Sequence, residues 1–580
     1  MSGAVAGVVL TLVVMTGCGG HSGKDQGERK SKLAPNRGGE VTYLSAGDVD
    51  FLDPGQTYSS FGYMVHYAVN RTLYSFKPDG GRKPVPDLAA GAPRISADNK
   101  TVTVRIRRGV RYAPPVNREV TSKDIQYGLE RAFSANVPSS YATTYFGAIQ
   151  GAPQAPSRGV ERIPGIQTPD DRTVVLRLSR PTAATVAAAL VMPITTPVPE
   201  EYARKHDRKM PSTYDQYVAF TGPYMVRNRA DGKVVGREPG KRIEIVRNPN
   251  WGRTTDYRPA YLDAVTIREG NSDLAVASRR TLRGSKLMCC DATQPPIAVL
   301  KEALARSGQQ VGRVSAGTTH WIALNTTRAP FDDINIRRAV IAGFDRDALR
   351  LTRGGKEVGP VAQHFIPPGL PGFEESGGAR GFTDLDFMRN TRGDMGLAAK
   401  YFRAAGQSSG RYEGTEALLT VAANASPDVQ TALAAHAQFE KLGFRLKLRN
   451  VDANTMFAKF CNVPDSGYAI CPNVGWFRDI SDPQSVLEPT FSGAAIKPQG
   501  NVNWSQLADP EIDRLMTEAA TIPAGARRNA SWAAINRLVV EQAVAIPYVW
   551  DDDFQLSSRN VRGAMNSYFA SWDLSFSSLK

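Results

Sequence analysis

Residues 325–349 read NTTRAPFDDINIRRAVIAGFDRDAL and fall across a change of pattern. HWIALNTTRAPFDD (320–333) is a strand followed by a loop, and INIRRAVIAGFDRDALR (334–350) has the spacing of one helix. The alternation continues toward the carboxy terminus. Amphipathic helices are predicted over 392–406, 429–443 and 509–521, with strands at EALLTVAAN between the first two and at FRLKLRNVD after the second. Toward the amino terminus, GGEVTYLSAGDVDFLDPG runs from a strand into a turn at Asp53-Pro54-Gly55. MVHYAVNRTLYSF (64–76) has helical spacing and closes with the turn KPDGG. KTVTVRIRRGVRY (100–112), DRTVVLRLSRP (171–181), KRIEIVRNPNW (241–251) and YLDAVTIREG (261–270) read as strands. TSKDIQYGLERAF (121–133) reads as a helix behind a Thr-x-x-Asp cap. The whole is a mixed α/β chain.

At 580 residues the chain is too long for one ordinary core and implies two or three domains. Its 42% hydrophobic and 22% charged residues are ordinary for a globular protein. A formal net charge of +15 raises the question of a polyanionic partner. The basic residues are scattered, however, and are matched by nearby acids in FDDINIRRAV and FDRDAL. The longest basic cluster, ERKSK at 28–32, lies in a polar tail, so nucleic-acid binding is not expected.

Residues 4–16, AVAGVVLTLVVMT, form an apolar run of signal-peptide length, too short to span a bilayer. The run ends in Met15-Thr16-Gly17-Cys18, which resembles a bacterial lipobox. That resemblance implies removal of residues 1–17 and lipidation of Cys18 as the first mature residue, giving a body tethered to the membrane by lipid. It departs from the pattern in having no Lys or Arg before the apolar run. Residues 18–37 then read as the lipidated cysteine and a flexible spacer.

Four further cysteines permit disulfides in an exported chain. Cys461 and Cys471 are spaced to close a short loop, worth on the order of 2–3 kcal/mol. Cys289 and Cys290 are neighbours, about 3.8 Å apart at Cα, which is shorter than disulfides normally span. There is no C-x-x-C pair and histidine is scarce, so neither a metal nor a cofactor is expected.

The order of the segments resembles the extracellular solute-binding proteins of family 5, the oligopeptide, dipeptide and nickel binders of ABC importers. The resemblance runs from about Gly38 to the end of the chain. FLDPG (51–55) is similar to the family's early LDP element, and TGPY (221–224) with VRNPNW (246–251) to its central signature. NTTRAPFDDINIRRAVIAGFDRDAL is similar to its run of Asn-Thr, Pro-Phe-Asp-Asp, Arg-Arg-Ala and Asp-Arg, and the late helices ending in AVAIPYVWD (543–551) also fit. Some members carry a cysteine before the Asn-Thr strand; AGTTHWIALN has none, so their disulfide placement does not transfer. The resemblance implies a two-lobed α/β fold of the periplasmic-binding-protein type (type II, large peptide-binder class), its lobes joined by crossing strands. Lobe I would comprise 38–70, an inserted subdomain at 71–219, 220–324 and 541–580, and lobe II would comprise 325–540. The implied role is capture of a peptide between the lobes and delivery to permease and ATPase subunits by a monomeric binding protein that is not an enzyme.

GWFRDISDP (475–483) sets aromatic rings beside fixed charges. In peptide-binding members of the family a Trp-x-x-Asp segment meets the ligand's α-ammonium, and Trp476 and Asp479 match it. Trp476 and Phe477 would form apolar walls with a cation–π contribution. The alternative is that Asp479 caps the turn toward Asp482-Pro483 or pairs with Arg478, itself placed either at the ligand or on Asp482. Tyr58 and Ser59, after LDPGQ, and His364, in AQHFIPPG, are weaker ligand-contact candidates. A non-peptide solute on the same fold (a metal complex, antibiotic or signalling molecule) is the second reading. A secreted hydrolase is remote, because GQSSG (406–410) satisfies G-x-S-x-G but follows a helix instead of a strand.

Overall fold

The computed structural model describes residues 36–580 apart from 79–82, 140, 291–293, 316, 425 and 499. The amino-terminal apolar run, Cys18, the spacer to residue 35 and most of the KPDGG turn lie outside the described residues. Among the described residues no helix is long and apolar enough to cross a membrane.

Two large sheets divide the chain into two lobes. The first sheet, of eight strands, gathers both ends and the middle of the sequence. Val311–Ser315, Asp552–Ser557, Leu287–Cys289, Glu40–Leu44, Ala264–Arg268, Arg242–Arg247 and Tyr224–Val226 lie side by side in that order, and Arg237–Glu238 pairs with Arg242–Arg247. The second sheet, of five strands, has the order Arg445–Val451, Ala417–Ala423, Ile470–Phe477, Thr318–Leu324, Ala545–Val549. A separate antiparallel sheet of Arg94–Ile95, Thr101–Arg105, Thr173–Arg177 and Ile166–Asp170 occupies part of the long segment between Leu44 and Tyr224. Alternation along its strands puts Val102, Val104, Val174 and Leu176 on the buried face. Its core is continuous with that of the first sheet, while the second sheet has its own core around Trp321, Phe344, Ile366 and Phe439.

The chain crosses between the large sheets twice, from Ser315 to Thr318 and from Val549 to Asp552. The crossings are neighbours: Ser315 pairs with Asp552 on the first-sheet side and His320 with Val549 on the second. Thr318–Leu324 and Ala545–Val549 therefore both belong to the second sheet, outside the 325 and 540 limits suggested by the family resemblance.

Residues 325–349 build scaffold. The single helix expected over 334–350 is two, Ile334–Gly343 and Arg346–Arg353, separated by Phe344 in extended conformation. Asp345 makes the break, because its carboxylate accepts from the Ala348 N–H at 2.8 Å and starts the second helix. Asp333 caps the first in the same way, through the Asn335 N–H at 2.7 Å. Arg337 and Arg346 are buried, and their guanidiniums satisfy main-chain oxygens of Phe331, Gln542 and Ala362. The LDP aspartate, Asp53, is also structural: it is fully buried in a bidentate pair with Arg131 at 2.6 and 2.8 Å. Gly222 of TGPY allows a close approach, since a Cβ there would meet the Val69 carbonyl carbon at 2.5 Å.

The helix expected within 64–76 starts earlier and ends sooner, at Ser60–Val69, capped by Ser59. Tyr74–Ser75 is extended and pairs with Val85–Pro86.

Candidate functional site

A cavity of about 600 Å³ lies between the lobes, within the range of small-molecule sites. Strand Ile470–Phe477 runs to its edge and delivers Trp476, Phe477, Arg478 and Asp479, all of which line it. Trp476 is fixed by its indole N–H, which donates to the Ser485 carbonyl at 2.8 Å. The Arg478 guanidinium donates to the Ser567 carbonyl and lies 5.3 Å from the Phe477 ring centroid. Its main-chain N–H donates to the Gly317 oxygen at 3.3 Å. Gly317 sits in the first crossing with φ of +74°, and a Cβ there would fall 1.7 Å from Arg478 Nη1.

Asp479 serves neither of its suggested structural roles. Its carboxylate accepts from the Tyr145 hydroxyl at 2.5 Å and the Tyr141 hydroxyl at 3.3 Å, both from the opposite lobe. Tyr568 holds its main-chain oxygen at 2.7 Å. Burial pushes the Asp479 carboxyl up to about 7, against the pull of the two tyrosine hydrogen bonds. Among the described residues Asp479 has no ion-pair partner. The turn is instead capped by Asp482, which accepts from the Gln484 N–H at 2.9 Å. Asp482 holds Arg528, at 2.8 Å, in place of the expected Arg478.

A second polar group in the cavity escaped the sequence reading. Arg353 Nη2 and Nε approach Asp551 Oδ2 at 2.9 and 3.0 Å, and Nη1 approaches Asp428 at 3.3 Å. His320 Nε2 lies 3.3 Å from both Arg353 Nη2 and Asp551 Oδ1. Burial and the Arg353 charge push the imidazole down to about 4, so it is neutral at pH 7. These residues come from a central strand, two helices and a crossing that are far apart in the sequence. The visible signal was the acidic run at 551–553, which continues AVAIPYVWD.

The weaker candidates separate. Tyr58 lines the cavity. Ser59 caps the helix Ser60–Val69, accepting from the Gly62 N–H at 3.0 Å. His364 is displaced from the expected lobe interface into the second core, where it packs against Phe373, Phe382 and Trp550. Its Nε2 meets the Gly378 carbonyl at 3.0 Å, and burial pushes it down to about 3. Cys461 and Cys471 are joined, with Cα atoms 6.2 Å apart. Cys289 and Cys290 are joined as well, although the Cα spacing argued against it.

The sequence model for bacterial extracellular solute-binding proteins, family 5 (middle), matches residues 83–498. The oligopeptide-binding protein OppA of Bacillus subtilis is 22% identical over 571 residues, covering 96% of this chain and 95% of its own length. A dipeptide-binding protein of Pseudomonas aeruginosa is 23% identical over 545 residues, covering 91% of this chain and 93% of its own. Among solved structures, clavulanic acid biosynthesis oligopeptide binding protein 2 superposes with a TM-score of 0.79 at 27% identity, over 94% of this chain and 96% of its own. The periplasmic binding protein DppA of Helicobacter pylori, solved with the peptide STSA, shares the fold at a TM-score of 0.72 and 19% identity, over 94% and 98%.

Proposed function

Because the chain belongs to the bacterial extracellular solute-binding proteins of family 5, we propose that it captures short peptides between its lobes and hands them to the permease of an ABC importer. One observation carries the peptide reading: a carboxylate, Asp479, faces the cavity between aromatic walls with hydroxyl donors but, among the described residues, no ion-pair partner. A buried carboxylate in that state favours a ligand ammonium, because a charge-assisted hydrogen bond in a dry cleft is stronger than a neutral one. Trp476 and Phe477 flank the ammonium, and the neighbouring crossings let the lobes close over the bound peptide. Arg478 keeps the segment in register through Gly317 and Ser567. Relatives named for oligopeptides and dipeptides support the same reading. On this reading the protein acts as a monomer, without catalysis, metal or cofactor, on the extracytoplasmic face, anchored through a lipid on Cys18.

Native mass spectrometry of the full chain purified in detergent, before and after ligand stripping, tests this. The expected result is a ladder of co-purifying masses that resolves into short peptides. Asp479→Ala should weaken their binding by about 30-fold or more, the cost of removing one partner of a buried charge pair. A single non-peptide mass would keep the binding-protein role and replace the ligand. Peptides held equally well by Asp479→Ala would remove the ammonium anchor.

A further inference from the structure

Among the described residues the carboxyl groups lining the cavity are Asp428, Asp479, Asp551 and Asp553, and the guanidiniums are Arg353 and Arg478. Arg353 is spent on Asp551 and Asp428. Arg478 is turned to the Ser567 carbonyl and the Phe477 ring. His320 brings no charge at neutral pH. Asp479 is assigned above to the ligand's terminal ammonium. That leaves Asp553.

Asp553 lies on the first-sheet strand Asp552–Ser557, opposite Val314 and just past the second crossing. Its neighbour Asp552 points to Arg313, 2.6 Å away. Asp553 itself lines the cavity and, among the described residues, has neither an ion pair nor a side-chain hydrogen bond. Burial and the adjacent Asp551 charge push its carboxyl up to about 8, which Arg353 and Arg478 only partly offset. A carboxyl in that condition keeps its proton until a cation displaces it. Among the described residues no group of three or more His, Cys, Asp or Glu could hold a metal ion, and on the peptide reading the cation comes from the ligand. A neutral zwitterionic peptide offers one cation, already placed at Asp479, and an anion that this cavity receives poorly. A peptide with a lysine or arginine side chain offers the second cation.

We propose that the cavity selects peptides carrying a basic side chain and that Asp553 is the residue that receives it. The proposal rests on the peptide reading above and deepens it. Specificity here is a difference between affinities: the basic side chain gains a paired, partly desolvated carboxylate, whereas an acidic one meets a carboxyl that offers it no charge partner.

Isothermal titration of the ligand-stripped full chain in detergent, with the tripeptides Ala-Ala-Ala, Ala-Lys-Ala, Ala-Arg-Ala, Lys-Ala-Ala and Ala-Glu-Ala, tests it. At least one basic peptide should bind roughly tenfold or more tighter than Ala-Ala-Ala, and Ala-Glu-Ala should be weakest. Asp553→Asn should bring the basic-to-neutral ratio to within about twofold, while Asp553→Glu should keep a preference. Equal affinity for basic and neutral peptides in the native sequence would overturn the proposal without needing any variant to fold, and so would a preference that survives in Asp553→Asn. Binding of none of the five would overturn the peptide reading itself, and this proposal with it.

Discussion

Asp479 holds its proton longer than an ordinary carboxylate because burial outweighs the two tyrosine hydroxyls that stabilise its anion. A ligand ammonium binds the anion, so the fraction of protein that is protonated must first lose a proton. Affinity for a peptide with no titrating side chain should therefore rise with pH up to about 7, by at most about tenfold per unit, and fall again above about 8 as the peptide's own α-ammonium loses its proton. Titrations between pH 5 and 8 measure that slope, and Asp479→Asn should flatten it. A profile that falls with rising pH below about 7 would contradict the assignment. That Trp476 and Asp479 line one cavity was legible because they share one segment and match the family's Trp-x-x-Asp. Tyr145, whose hydroxyl reaches the carboxylate across 334 positions, was not. His364 was misplaced for the same reason: the rings that bury it come from Phe373, Phe382 and Trp550, and the last of these is distant in the chain.

Helices and strands were legible where periodicity and capping agree. The helix behind Thr121 forms as expected over Ser122–Arg131, with Asp124 returning to the Thr121 N–H at 2.8 Å. The break at Asp345 was hidden because apolar spacing continues across it, and the cap depends on an Asp side chain whose role is ambiguous within a helical pattern. The crossings had no local signature at all. Gly317 is required there both by its positive φ and by the Arg478 guanidinium packed on it. Gly317→Ala should lower stability by about 1–3 kcal/mol, read as a shift in the urea midpoint. Adding Arg478→Ala should recover the part due to the clash and leave the part due to backbone strain. If Gly317→Ala alone has no effect, the crossing is not held as described.

Across the whole molecule, the alternation of strands and helices announced an α/β chain. The assembly of the first sheet from both ends and the middle came only through the family resemblance, since pairings such as Glu40 with Ala264 leave no periodic trace. The lobes also meet away from the cavity. Thr185, from the first core's side, donates to Gln484 Oε1 at 2.7 Å, and Arg528 Nη2 reaches Thr185 at 3.2 Å and Gln484 at 2.7 Å. Asn99 donates to the Thr521 carbonyl at 3.0 Å. The bonds made by Thr185 and Asn99 exist only with the lobes together, so they bias the molecule toward closure independently of ligand. Thr185→Val should cost the closed form about 1 kcal/mol. That would weaken peptide binding roughly fivefold and raise the ligand-free radius of gyration measured by small-angle scattering. Unchanged affinity and radius would show that closure does not depend on this contact.

The two crossings have a topological consequence. The second lobe enters and leaves the first through strands that lie side by side, Ser315 against Asp552 and His320 against Val549. It is therefore an insertion whose two ends meet, like a leaf hung on one pin. Swinging the leaf lengthens neither strand, so the joint stores little elastic energy. The angle of opening is then left to whatever lies between the faces.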